Sequence, residues 1–179
     1  MRENKFRLIT LTLIACISVA MAMAAETQSS TWREQMLLSI NELRKEVGVK
    51  PLKLCDNLNS SAQSYSDAMK SGNFFSHTGK DGSSVKDRIT KAGYRWSEKR
   101  ISFAVEENIA AGQNSVTEVM NSWRNSSGHY KNIVNPAFTD VGMGRTFSKN
   151  SKYRSFWVQN FGKGGDCNRK NSGHIGHDR

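Results

Sequence analysis

The sequence predicts an α+β fold in which helices pack on an antiparallel sheet. Apolar residues recur at helical spacing in four segments, and segments with strand character cluster in the second half of the chain. Because most helical segments come first and strands cluster late, without the regular alternation of βαβ units, we expect antiparallel strand pairing.

The first 24 residues have the three parts of a secretory signal peptide. A basic start is followed by an apolar run from Leu8 to about Met23 and by a small-x-small pattern ending at Ala24, which predicts cleavage there. Polar residues interrupt the run, so a permanent membrane span is the weaker alternative. The segment that ends at Cys16 resembles a bacterial lipobox, and a lipid anchor on Cys16 is a further alternative.

The remaining chain, about 155 residues, is long enough for one domain with one core. We expect a lead-in over residues 25–34, a folded domain over residues 35–165 and a disordered basic tail over residues 166–179. The leader contains three of the 26 basic and one of the 16 acidic residues, so the formal net charge falls from +10 to about +8. This charge permits a polyanion such as a cell-wall polymer as partner. Nucleic acid is not expected, because the basic residues are scattered rather than gathered with stacking aromatics.

Two cysteines, Cys55 and Cys167, remain after cleavage. An even pair in an oxidising compartment predicts a disulfide bond, with two free thiols as the alternative.

The four amphipathic helices carry their own start and stop signals. A capping box of Thr31 and Glu34 begins the first, Asp56 is the expected N-cap of the second, and Ser115 with Glu118 forms a capping box at the fourth. The predicted helices extend from Thr31 to Gly48, from Asp56 to Gly72, from about Ser83 to Gly93, and from Ser115 to about Trp123.

Three segments have strand character: Ile101–Ile109, Phe138–Phe147 and Tyr153–Phe161. A turn rich in Ser, Lys and Asn joins the last two, which predicts an antiparallel hairpin.

Common catalytic signatures are absent from the sequence, including phosphate-binding loops, the zinc-protease HExxH pattern and the GxSxG nucleophile elbow. Three other segments combine imidazole and carboxylate groups: Asn73–His77, Glu106–Gly112 and Trp123–His129.

Together with several further motifs in the same order, these segments resemble the CAP superfamily. This is the family of cysteine-rich secretory proteins, insect antigen 5 and plant pathogenesis-related proteins. The further motifs are Asp81–Ser83, Lys91–Tyr94, Asn132–Pro136, Val141–Gly144 and Phe156–Gly162. The resemblance extends roughly from Ile40 to Gly162 and implies a three-layer α-β-α sandwich, in the compact form of bacterial and lower-eukaryotic members.

The resemblance also implies a central cleft lined by His77, His129 and Glu107. Two imidazoles and a carboxylate are a suitable ligand set for Zn²⁺ or another divalent cation. Without a metal, the same groups could perform acid–base chemistry. Glu106 and Glu107 point to opposite faces of a strand, and we assign Glu107 to the cleft.

One position departs from the family pattern. Ser126 stands where many members have a second cleft glutamate. The metal-ligand set is therefore incomplete, unless Glu106, Asp81 or a water molecule substitutes.

A hydrolase is the alternative function for the same residues. It would use His129 and Glu107 with Ser126 as nucleophile, or with Ser127 or Ser83 in its place. The sequence offers no nucleophile elbow in support of this alternative.

Binding without turnover is the function we expect, in a secreted and monomeric protein. The resemblance implies an extracellular ligand such as a sterol, a fatty acid or a cell-surface component. Asn59 and Asn125 each begin a glycosylation sequon, which is relevant only in a host that glycosylates.

Overall fold

The computed structural model describes residues 31–95, 105–165 and 167. The chain divides into two units, residues 1–31 and residues 32–179, and the helices and strands of the described ranges lie in the second. The predicted signal peptide, the lipobox-like segment, the first part of the strand predicted from Ile101 and the tail beyond Cys167 lie outside the described residues. None of the helices in the described ranges is long and apolar enough to cross a membrane.

Five helices and four strands are formed by the described residues. In chain order they are α1 (Trp32–Glu46), β1 (Lys53–Leu54), α2 (Asp56–Gly72), α3 (Val85–Lys91), β2 (Glu106–Ala111), α4 (Val116–Arg124), α5 (Ser127–Ile133), β3 (Asp140–Phe147) and β4 (Ser155–Gly162).

All four predicted helices form, and the capping residues explain where two of them begin. The extended N-cap of α2 is Cys55, which makes no side-chain cap bond, so the prediction of Asp56 as N-cap is wrong by one residue. At α3, Ser84 and Asp87 form a reciprocal capping box, which satisfies two backbone N–H groups and places the first turn at Val85.

The predicted capping box of α4 forms only in part. Ser115 is the N-cap, and its hydroxyl accepts a hydrogen bond from the backbone N–H of Glu118. The Glu118 carboxylate accepts from the backbone N–H of Asn114 rather than from Ser115. The chain just before α4 is therefore tied to the first turn of the helix.

Two short elements were not predicted from the sequence. β1 contains only two residues, and α5 contains seven. β1 is too short for hydrophobic periodicity to reveal it, and α5 begins with Ser, Gly and His and has one buried residue, Ile133. α5 matters for function because it carries His129.

The sheet has the strand order β1-β3-β4-β2. β3 and β4 form the predicted antiparallel hairpin, with Val141 opposite Phe161, and β2 pairs antiparallel with β4, with Ile109 opposite Val158. The expected antiparallel sheet is thus confirmed for the three long strands. The short β1 pairs parallel with β3 and makes the sheet mixed.

Helices cover both faces of the sheet, which confirms the α-β-α sandwich. One core lies between the sheet and the layer of α1, α4 and α5, and the other lies between the sheet and α2, against which α3 packs. The first core is built around Met36, Ile40, Leu43, Val119, Trp123, Met143, Trp157 and Phe161. The second contains Ala62, Tyr65, Met69, Ile109, Phe156 and Val158.

α2 lies directly against β3 at two glycines. A Cβ atom on Gly142 would be 2.1 Å from the backbone carbon of Leu58, and one on Gly144 would be 2.2 Å from the backbone of Ala62. Any side chain at these positions would collide with the helix backbone. The contact sets how closely α2 approaches the sheet, and so where Tyr65 lies.

The predicted disulfide between Cys55 and Cys167 is present. It joins the start of α2 to the chain beyond β4, and Cys55 is fully buried beside Leu58, Ile89 and Tyr94. The bridge therefore fixes the C-terminal end of the domain to the layer that supports the candidate site.

Candidate functional site

A cavity of about 650 Å³ opens at β2, an edge strand of the described sheet. Both sequence-predicted histidines, His77 and His129, belong to its wall, together with Ser126. Its other lining residues are mostly apolar or aromatic and come from four parts of the chain. They are Phe75, Ser76, Ile109, Ala110, Ala111, Gln113, Ser122, Trp123 and Tyr153.

His77 and Glu107 form a hydrogen-bonded pair. The Nδ1 atom of His77 is 3.0 Å from Oε1 of Glu107. The side chain of Glu107 is 2% exposed, whereas that of His77 is 58% exposed. Glu107 does not line the cavity itself. It contacts the cavity wall through His77, and the neighbouring Glu106 is exposed.

Arg88 of α3 completes this cluster and was not foreseen from the sequence. Its Nη2 atom donates to Oε2 of Glu107 at 2.8 Å and to the backbone oxygen of His77 at 3.1 Å. Its guanidinium carbon lies 3.4 Å from the centroid of the Tyr65 ring. A single arginine therefore holds both the carboxylate and the loop that carries the imidazole.

His129 reaches the cavity from the opposite layer. Its α5 helix is fixed by Asn108, the residue after Glu107, whose Nδ2 atom donates to the backbone oxygen of His129 at 3.1 Å. Asn132 of α5 donates in turn to Oδ1 of Asn108 at 2.9 Å. Because consecutive strand residues point to opposite faces, β2 positions one histidine from each side of the sheet.

Burial lowers the pKa of His129, and the nearby charge of His77 lowers it further. Desolvation disfavours the charged imidazolium, and any positive charge on the neighbouring imidazole would add repulsion. Both effects favour the neutral form of the His129 imidazole.

The hydrolase combination of Ser126, His129 and Glu107 is not connected by hydrogen bonds. Ser126 is the N-cap of α5 and makes no side-chain cap bond. Glu107 is engaged by His77 and Arg88 rather than by His129. The histidine that the carboxylate orients is consequently His77.

The other residues considered for this chemistry lie elsewhere. Ser83 and Asp81 line a separate cavity of about 590 Å³ between α2 and α3. There Asp81 accepts a hydrogen bond from the backbone of Ser83, and its hydrogen bonds to Ser83 lower its pKa. Ser127 is exposed and is not part of the cavity wall that contains His129.

The donor set does not fit a divalent metal ion. Both oxygens of Glu107 are already used, one of them in an ion pair with Arg88. Two imidazoles are fewer than the three or four protein ligands of ordinary zinc sites. Within the ranges that the structure describes, no group of three or more His, Cys, Asp or Glu residues could hold a metal ion.

The fold and the cavity define a class of protein: a small α-β-α sandwich with two histidines in the wall of one cavity at an edge strand. The model of the Cysteine-rich secretory protein (CAP) family matches residues 37–161. The chain therefore belongs to the CAP family.

Similar proteins include the uncharacterized protein YkwD of Bacillus subtilis. It is 34% identical over 138 residues, which are 77% of this chain and 49% of the relative. The uncharacterized membrane protein YlbC of the same species is 29% identical over 74% of this chain and 34% of its own length. This chain thus spans half or less of the length of these two relatives.

Two solved structures have a similar fold, and one of them is a protein with an SCP domain. An extracellular SCP-domain protein of Bacillus anthracis has a TM-score of 0.61 and 28% identity, covering 73% of this chain and 39% of that one. An outer surface protein of Borrelia burgdorferi has a TM-score of 0.62 and 26% identity, covering 74% of this chain and 92% of that one. Both of these neighbours are described as extracellular or outer-surface proteins.

Proposed function

We propose that this chain is a secreted protein that binds an amphipathic extracellular ligand, such as a fatty acid or sterol, in the cavity at β2. The observation that carries the proposal is the wall of the cavity. Mostly apolar side chains surround two histidines and Ser126. A largely apolar pocket with a few polar groups is typical of small-molecule sites.

An exposed aromatic side chain supports this interpretation. Phe75 is 41% exposed, lines the cavity, and packs against Tyr153 with ring centroids 5.8 Å apart. An apolar chain could lie against these rings while its polar head meets Nε2 of His77. Gln113 adds a polar group at the same wall.

Ligand titration of the mature protein tests the proposal. We would measure binding of cis-parinaric acid and of dehydroergosterol by fluorescence, and expect saturable binding of at least one. In Ser126→Trp, a large ring replaces a hydroxyl that makes no cap bond, so the cavity is filled without loss of a helix cap. We expect the affinity to fall at least about tenfold, because the ring would occupy space that the ligand needs.

Ser127→Trp is the matched control, because Ser127 is adjacent, exposed and outside the cavity wall. It should bind the probes as the wild type does. No binding of either lipid to the wild type, or equal affinity in both tryptophan variants, would exclude the cavity as a lipid site.

Secretion is the second part of this proposal. The signal-like first 24 residues support it, as do the extracellular and outer-surface neighbours. Mass spectrometry of the exported protein should give an N-terminus at Ala25. A lipidated N-terminal Cys16 would instead show a membrane-anchored protein.

A hydrolase is the second candidate, favoured by one observation. Glu107 holds the Nδ1 atom of His77 in a hydrogen bond, and the His77 side chain is exposed. Its other ring nitrogen, Nε2, is therefore available as a general base. On this proposal His77 activates water or a substrate hydroxyl, and Glu107 fixes the imidazole. Turnover of p-nitrophenyl esters that is lost in His77→Gln but kept in His174→Gln, a control in the C-terminal tail predicted over residues 166–179, would support it. Equal rates in both variants would exclude it.

A further inference from the structure

The negative charge of Glu107 is neutralised by a cationic side chain of the protein, Arg88, rather than by solvent. The Arg88 side chain is 10% exposed and that of Glu107 is 2% exposed, and their nearest atoms are 2.8 Å apart. Ser126 removes the second carboxylate that the family pattern would have placed nearby. A divalent cation at the histidines would therefore meet one carboxylate whose charge a guanidinium already balances.

Arg88 is held in place by contacts other than the ion pair. Its Nη1 atom donates to the backbone oxygen of Ser83 at 2.8 Å, and its Nη2 atom also bonds the backbone oxygen of His77. The Tyr65 ring supports the guanidinium plane at 3.4 Å. The cation cannot leave Glu107 without giving up all of these contacts.

The ion pair also fixes the proton on His77. An ionised carboxylate only accepts hydrogen bonds, so the 3.0 Å contact requires the proton to be on Nδ1 of His77. In the neutral ring, Nε2 then carries the free lone pair, and the imidazole that bears it is exposed.

We propose that Arg88 takes the place of a metal ion in this cleft. It neutralises Glu107, fixes the Nδ1–H tautomer of His77, and weakens the binding of divalent cations at the two histidines. Because the charge is permanent and internal, the cleft is ready for a ligand without any metal being supplied.

Calorimetric titration of the mature protein with Zn²⁺ tests the proposal. In Arg88→Gln the charge of Glu107 becomes available to a cation, and we expect the Zn²⁺ affinity to rise at least about tenfold over the wild type. In the Arg88→Gln/Glu107→Gln double variant, the affinity should return to the wild-type value. Arg124→Gln is the matched control, since it makes the same charge change at an exposed ion pair with Glu46.

Unchanged or weaker zinc binding in Arg88→Gln would overturn the proposal. So would a wild-type zinc affinity that Glu107→Gln reduces, because Glu107 would then already be serving the metal.

A second measurement needs no variant, because Arg88→Gln leaves a buried carboxylate unpaired and could fail to fold. Imidazole ¹⁵N NMR of the wild type should show His77 as the Nδ1–H tautomer, unchanged by one equivalent of zinc. An Nε2–H tautomer, or a shift of the His77 nitrogens at that zinc level, would refute the proposal. Neither readout depends on lipid binding, so this proposal and the proposed function can fail separately.

Discussion

Replacing Gly142 by alanine tests the close contact between α2 and β3. The added Cβ would be 2.1 Å from the backbone carbon of Leu58 and 2.2 Å from the backbone nitrogen of Asn59. Carbon atoms in contact normally stay about 3.5–4.0 Å apart, so helix and strand must separate by about 1 Å or more. Separation also weakens the 2.9 Å hydrogen bond from the backbone of Met143 to the Asn59 side chain.

The expected cost follows from these contacts. Overpacking costs about 1–3 kcal/mol when side chains can adjust, and occasionally more. Here the obstacle is helix backbone, so we expect a loss of about 3 kcal/mol or more in the free energy of unfolding. For a domain of this size that lowers Tm by about 6–12 °C.

Urea and thermal unfolding, followed by circular dichroism, would measure this loss. Gly128→Ala is the matched control, because a Cβ at Gly128 meets nothing within 4 Å. That variant lies in the first turn of α5 and should be neutral or gain up to about 1 kcal/mol. A Gly142→Ala protein within about 0.5 kcal/mol of the wild type would show that α2 does not pack on β3 in this way.

Three further predictions concern other parts of the fold. Arg44 is fully buried and donates hydrogen bonds to four backbone carbonyls. Arg44→Leu should therefore lower the free energy of unfolding in urea by at least about 3 kcal/mol, and a loss below about 1 kcal/mol would contradict this role. Cys167→Ser removes the disulfide, whose cysteines have a sequence separation of 112, and should lower the free energy of unfolding by about 4–5 kcal/mol. A reductant should cause the same loss in the wild type and no further loss in the variant. Because the folded-state pKa of His129 lies below 6.5, the unfolded chain binds this proton first as pH falls. Stability should therefore decrease as pH drops below about 6.5, and His129→Gln should flatten the stability–pH curve in that window while leaving its slope unchanged above pH 7.

Hydrophobic periodicity in the sequence was sufficient to predict the long elements. α1, α2 and α4 each bury a regular apolar face, and the β3–β4 hairpin has a clear turn signal. Strand alternation also separates Glu106 from Glu107, since only the latter is buried. Local patterns of this kind are visible without knowledge of the tertiary structure.

Tertiary contacts decide the parts that the sequence did not predict. α5 has a single buried residue, Ile133, and depends on Asn108 of β2, 21 residues before His129. Arg88 is one of several charged residues on a short helix, and no local pattern distinguishes it from a solvated surface arginine. Its partners Tyr65 and Glu107 come from two other elements, so only the folded chain brings them together.

The two histidines are positioned by separate sets of contacts that share one strand. Glu107 fixes His77 through its side chain on one face of β2, and Asn108 fixes the α5 backbone at His129 on the other. A shift of β2 along its axis would move both supports in the same direction. Its pairing with β4 over the whole of Glu106–Ala111 opposes such a shift. The positions of these two supports relative to one another are therefore fixed by sheet register.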